Sequence, residues 1–154
     1  QAREAAGNRP TAIEAYSRLV TDYPSSEWTP PARVAQGRLL LQEGRWDEGR
    51  PVLERALAGP EEAVAVEAAF TLGEGFRARG AQEDAVEAYL TAAYLAPASS
   101  WGRRALLGAG QSFAALKQTE SAVIVLRKLL AQPDLPSDLQ AEARSALGRL
   151  ERTP

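Results

Sequence analysis

One spacing of small and bulky residues recurs along this chain and leaves little freedom for the fold. Gly37, Gly73 and Gly110 stand 36 and 37 residues apart. Around Gly73 the pattern is complete. Leu72 precedes it, Phe76 follows at three residues, Gly80 at seven, Ala85 at twelve, Tyr89 at sixteen, Ala92 at nineteen and Pro97 at twenty-four. Apolar residues at intervals of three and four mark amphipathic helices, a glycine between them marks a turn, and a proline ends the second helix. Leu40, Gly44, Gly49, Leu53 and Ala56 fall at matching offsets from Gly37, and Phe113, Lys117, Ala122, Leu126 and Leu129 from Gly110. Gly7, Ala12, Tyr16, Leu19 and Pro24 match the second half of a copy, and Leu147-Gly148 the middle of a first helix. One helix pair cannot bury its apolar face, so the copies must stack.

This unit resembles the tetratricopeptide repeat, a helical hairpin of about 34 residues. The resemblance spans nearly the whole chain and implies an all-α, right-handed α-α solenoid that acts as an interaction scaffold and not as an enzyme. The chain departs from the family pattern at Gly49, where alanine is usual, and in two or three extra residues in each inter-copy link. The register makes residues 1–154 a single domain: a partial repeat at 1–29, repeats at 30–65, 66–102 and 103–136, and a terminal helix at 137–154. It also places Gln1 inside a first helix, so the chain reads as a fragment of a longer protein. The periodicity predicts helices over 10–22, 31–43, 46–57, 61–79, 82–95, 100–116, 119–131 and 137–151.

The residue types suit these positions. Gly73 and Ala92 let helix backbones approach, with Leu72, Phe76 and Tyr89 filling the space beside them. Gly44 and Gly80 stand where a left-handed residue is needed. Asp47 and Asp84 are expected in the first turn of a second helix, facing its positive end. Pro51 is expected close enough to a helix start for its missing donor not to matter. Pro24, Pro60, Pro97 and Pro133 close the second helices.

Composition removes several kinds of chemistry. The net charge is −2, which gives no pull toward nucleic acid or an acidic membrane surface. The chain has no cysteine and no histidine. It therefore lacks thiol chemistry, the commonest general base and the commonest transition-metal ligand. No apolar run of about 18 residues is present to span a membrane. Gly73 and Gly75 lie inside a helix pattern and not after a strand, so they form no nucleotide cradle. The adjacent pairs Glu61-Glu62 and Glu83-Asp84 sit at helix starts, where the helix dipole accounts for them. We expect no catalytic residue, cofactor or metal site, and no nucleic-acid partner.

Two links resemble one another: Tyr23-Pro24-Ser25-Ser26-Glu27-Trp28 and Ala96-Pro97-Ala98-Ser99-Ser100-Trp101 both place a tryptophan four residues after the proline. Each tryptophan either packs at an inter-repeat joint or stands exposed as an anchor for a partner. These lengthened links, with Trp28-Thr29-Pro30-Pro31-Ala32 and Thr71-Leu72-Gly73-Glu74, resemble those of bacterial envelope members of the family, the Tol-Pal-associated periplasmic coordinator among them. That resemblance implies a scaffold in cell-envelope assembly and favours the periplasm over the cytoplasm.

In such a stack the first helices line a concave groove. Offsets from the anchor glycines nominate Val34, Arg38, Leu41 and Gln42, then Phe70, Glu74, Arg77 and Ala78, then Leu107, Gln111, Ala114 and Ala115, with Arg104 at the entrance. A partner peptide would lay apolar side chains on Val34, Leu41, Phe70 and Leu107 and acidic groups against the arginines. Alternatively those arginines form ordinary surface ion pairs with Glu74 and its neighbours. The family's chaperone-binding members clamp a C-terminal carboxylate with lysines and asparagines. Val34, Arg38, Phe70, Glu74 and Arg104 occupy the matching places here, so that clamp is not expected. The competing reading is a spacer or self-association module that forms an oligomer through exposed solenoid ends.

Overall fold

The structure is a computed structural model and describes residues 8–152. Gln1 and Gly7, used in the register above, lie outside the described residues. Among the described residues eight helices follow one another: α1 (Arg9–Asp22), α2 (Thr29–Gln42), α3 (Trp46–Leu57), α4 (Glu62–Ala78), α5 (Gln82–Leu95), α6 (Ser100–Ala115), α7 (Thr119–Leu130) and α8 (Ser137–Glu151). No strand occurs among the described residues. Each helix packs on the next, and in addition α2 meets α4, α4 meets α6 and α6 meets α8. Among the described residues second helices make no such contact with one another. The even-numbered first helices thus form one continuous layer, backed by the odd-numbered ones, as in an α-α solenoid.

Local sequence sets the turns. In three hairpins the first helix ends in the same pair of backbone bonds. Arg45 N–H reaches Leu40 O at 2.8 Å and Gly44 N–H reaches Leu41 O at 3.0 Å. Ala81 and Gly80 repeat this on Phe76 and Arg77, and Gln118 and Lys117 on Phe113 and Ala114. This closure needs a left-handed residue. Gly44 and Gly80 adopt φ of 74° and 79°, whereas Lys117 adopts 58° with a side chain attached. The second helices then open on acidic residues, Asp47 and Glu48, Glu83 and Asp84, and Glu120.

Two sequence-based expectations need correction. Pro51 is not at the start of its helix but inside α3, its sixth residue. It is tolerated because it lies on the exposed side, where water can reach the carbonyl left without an N–H partner. Helix α2 begins two residues earlier than expected, at Thr29, because Pro30 and Pro31 occupy the first turn, which needs no N–H donors.

The core runs along the stack as three clusters of buried residues. Its largest cluster joins Val66, Ala69, Tyr89, Ala92, Leu106, Leu107, Leu126 and Leu129 through to Leu139 and Ala146 of α8. Smaller clusters form around Leu53 and Leu72 and around Ile13 and Leu39.

Candidate interaction face

Among the cavities of the first-helix layer, two adjoin through Phe70 and Glu74. The larger, about 430 Å³, is lined by Arg38, Leu41 and Gln42 of α2 and by Phe70, Thr71, Glu74, Gly75 and Ala78 of α4, with Arg79 at the end of that helix. Trp46 from the start of α3 and Trp101 from the start of α6 complete its walls. The smaller, about 180 Å³, is bordered by Phe70, Glu74 and Arg77 of α4, Arg104, Leu107 and Gln111 of α6, and Leu139 and Glu142 of α8. Phe70 and Glu74 belong to both.

Ten of the thirteen nominated side chains therefore border one cavity or the other, whereas Ala114 and Ala115 do not. Nor does Val34. It is 1% exposed and packs with Leu53 and Ala56 of α3 and Ala68 and Leu72 of α4, inside the seam between these helices. Leu107 is also largely buried and only edges the smaller cavity. Among the three nominated copies the offset three before the anchor glycine thus gives an accessible side chain only for Phe70. An aromatic ring is long enough to reach past the helix seam, and the shorter aliphatic chains stop inside it.

Aromatic packing shapes the larger cavity. Trp46 meets Phe76 edge-on, ring centroids 4.9 Å apart at 65°. It lies so close to α4 that a Cβ on Gly75 would fall 2.6 Å from its ring. Phe70 packs on Trp101 at 5.1 Å and on Tyr89 at 5.8 Å. Trp101 therefore packs at an inter-repeat joint, the first of the two readings, and also lines the larger cavity. Trp28, in the same register, is 65% exposed.

The charges are partly answered within the protein. Tyr89 is fully buried, yet its hydroxyl donates to Glu74 Oε1 and accepts from Arg77 Nε at 3.1 Å. Arg77 also bonds the Glu74 carboxylate at 3.1 Å. Burial raises the Tyr89 hydroxyl well above its ordinary range, and the neighbouring Glu74 carboxylate adds to the effect. Arg38 pairs with Glu67 at 3.4 Å. Burial nonetheless lifts the Glu67 carboxyl above the usual carboxylate range, with Arg38 opposing. The sequence-based alternative of local ion pairs thus holds for Arg77 and Arg38. Arg104 is exposed, with no hydrogen bond or ion pair among the described residues. Its neighbour Arg103 is structural: it donates to Gln132 Oε1, Pro133 O and Asp134 O, tying α6 to the link before α8.

Sequence reasoning missed Trp46, Arg79 and Leu139. A register signal was present for the last. Trp28, Val64, Trp101 and Leu139 each precede an anchor glycine by nine residues. Trp101 closes the larger cavity and Leu139 borders the smaller, one repeat further on. Trp46 was missed because it belongs to a second helix, whose first residue reaches around the turn to the first-helix face.

Two models of the tetratricopeptide repeat match the chain, one over residues 34–100 and the other over residues 1–26 and 104–134. The chain is built from tetratricopeptide repeats, a fold that generally serves as a non-catalytic scaffold for protein–protein interaction. It is similar in structure to a tetratricopeptide repeat protein from Parabacteroides merdae, with a TM-score of 0.76 at 16% identity. The match covers 97% of this chain and 56% of that one, so the chain spans little more than half of its neighbour's length. Comparison with curated proteins finds no match. No helix among the described residues is long and apolar enough to cross a membrane.

Proposed function

We propose that the chain is a scaffold that holds a segment of a partner protein against its first-helix face. The observation that carries this reading is the pair of adjoining cavities sharing Phe70 and Glu74, which together reach from α2 to α8. Their characters differ in a way that suits a peptide. The first has an aromatic wall for apolar side chains, and the second offers Arg77, Arg104 and Gln111 to polar or acidic ones. The lengthened links at Tyr23–Trp28 and Ala96–Trp101 support a partner in bacterial cell-envelope assembly and a periplasmic location. Fractionation of tagged native protein tests that location, and co-release with cytoplasmic markers would overturn it.

The binding reading is tested by selecting peptides from a display library on the purified chain and titrating them by calorimetry. Arg104→Glu combined with Gln111→Ala alters exposed or half-exposed side chains and should leave the melting temperature unchanged. It should weaken the selected peptides roughly tenfold. Peptides that bind the double variant at full strength would sink the proposal. A chain that selects no peptide, but whose scattering mass rises with concentration, would favour self-association, with exposed Tyr23 and Trp28 as the first surface to test.

A further inference from the structure

The larger cavity has two aromatic groups in its lining and a rim whose charge is not balanced. Trp46 and Leu41 meet at Gly75 of α4, Phe70 packs on Trp101, and all five line the cavity together with Ala78. Gly75 lets both side chains pack directly on α4: a Cβ there would meet Trp46 at 2.6 Å and Leu41 at 2.7 Å. The Thr71 hydroxyl is occupied by the Glu67 carbonyl of its own helix at 2.7 Å and offers no donor to a ligand. The interior therefore rewards an apolar group.

At the rim the Glu74 carboxylate is already bonded by Arg77 and by the Tyr89 hydroxyl. Arg79 is different. Its guanidinium lies over the Trp46 ring, 5.2 Å from the centroid, and among the described residues no carboxylate pairs with it. A guanidinium held against an aromatic face is oriented by the ring while its N–H edge remains available for a carboxylate. Arg38 lines the same cavity from the α2 side.

We propose that this cavity is a subsite for one bulky apolar side chain of a partner peptide with an acidic side chain next to it, the apolar group between Trp46 and Trp101 and the carboxylate on Arg79. The proposal rests on the scaffold reading above and gives that site its specificity. The repeat register explains why it occurs once. The positions equivalent to Trp46 in the next two hairpins are Gln82 and Thr119, so no other hairpin supplies the same aromatic wall.

The chain carries its own reporters. It has three tryptophans, and two of them line this cavity while Trp28 lines neither. Proton–nitrogen correlation spectra resolve their indole signals during titration with the blocked tripeptide acetyl-Asp-Phe-Asp-amide at millimolar concentration. The Trp46 and Trp101 signals should move saturably and the Trp28 signal should stay. Replacing the central phenylalanine by alanine should weaken binding roughly tenfold. The Lys-Phe-Lys tripeptide should bind roughly fivefold more weakly. Arg79→Gln should abolish the preference between the two charged tripeptides, and Arg79→Glu should reverse it. Absence of saturable movement at both indoles, or equal binding of the acidic and basic probes, overturns the subsite. The two proposals fail separately. Display-selected peptides that depend on Arg104 and Gln111 but leave both indoles unmoved would sink the subsite alone. Probes that move the indoles, alongside selected peptides that ignore Arg104 and Gln111, would sink the extended face and leave the subsite standing.

Discussion

The central hairpin and its two neighbours face the same packing problem and fill it differently. In each, the side chain sixteen residues after the anchor glycine presses on that glycine. A Cβ would fall 2.5 Å from Leu53 at Gly37, 2.6 Å from Tyr89 at Gly73 and 2.7 Å from Leu126 at Gly110. Leucine fills the slot in the flanking copies and ends there. Tyrosine in the central copy continues through it, and its ring also occupies the space above Gly108 on α6, where a Cβ would fall 2.6 Å away. The residue equivalent to Gly108 in the preceding first helix is Thr71, and the slot residue of that copy is the shorter Leu53. The longer side chain thus brings a buried seam and the accessible face into one unit, because its hydroxyl emerges at Glu74 and Arg77, on the border of both cavities.

If that difference is physical, truncation should separate the copies. Tyr89→Ala is expected to destabilise by about 3–5 kcal/mol, the cost of emptying a large aromatic site. Leu53→Ala should lie toward the lower part of the roughly 2–5 kcal/mol range for a buried leucine, since it serves one interface. Urea denaturation of both variants orders them, and a larger loss for Leu53→Ala would break the comparison.

A second-site test probes the same contact. Gly108→Ala places a methyl group against the Tyr89 ring and should cost about 1–3 kcal/mol. In a Tyr89→Leu background that clash is gone, and alanine's better helix propensity, worth up to about 1 kcal/mol, should make the substitution neutral or stabilising. A Gly108→Ala penalty of the same size in both backgrounds would show that Tyr89 is not its cause.

Of these three hairpins only the central one places an ionisable group in its slot, which gives it a pH signature. Tyr89 ionises above its ordinary value of 10.0 in the folded protein because burial and the Glu74 carboxylate both resist a second negative charge. The stability tied to this group is complete below that ordinary value. It is lost as the pH rises, because the unfolded chain releases the proton first. Tyr89→Phe should cost about 0.5–1.5 kcal/mol at neutral pH through the lost hydroxyl bonds. The gap between the two proteins should then narrow in alkali. Denaturation midpoints that stay parallel up to strongly alkaline pH would place the hydroxyl in a less restrictive environment than the one described.

The repeat made most of this fold legible. Small residues at fixed offsets report helix crossings directly, and helix ends were readable to within two residues because prolines and left-handed positions punctuate them. The least legible start was that of α2, where two consecutive prolines look like a break but suit a first turn. The candidate face was readable in outline because inward offsets follow from helical geometry. Its details depend on how far a side chain extends beyond the seam. Phe70 and Val34 share an offset, yet one lines both cavities and the other is core. Trp28 and Trp101 share another, yet only Trp101 packs on the Phe70 ring. Offsets specify direction along the repeat, whereas exposure depends on the neighbouring helix.

The smallest expected effect concerns the turns. Gly44 and Gly80 take the left-handed conformation that closes their first helices, and Lys117 takes it in the third hairpin at φ of 58°. A residue with a Cβ is strained there by about 1–2 kcal/mol, because Cβ crowds the following carbonyl. Lys117 is exposed and has no cation partner role among the described ion pairs, so its side chain offers little in return. Lys117→Gly should therefore raise stability, with the gain reduced to roughly 0.5–1 kcal/mol by the greater freedom glycine gives the unfolded chain. The reciprocal Gly80→Lys should lose a similar amount while keeping the Ala81-to-Phe76 and Gly80-to-Arg77 backbone bonds. Thermal melts of the two variants compare the third hairpin's turn with the second's. Equal and opposite shifts would show that the turns differ only in this one residue. A loss on Lys117→Gly would mean that the lysine side chain supports the third turn in a way the first two do not need.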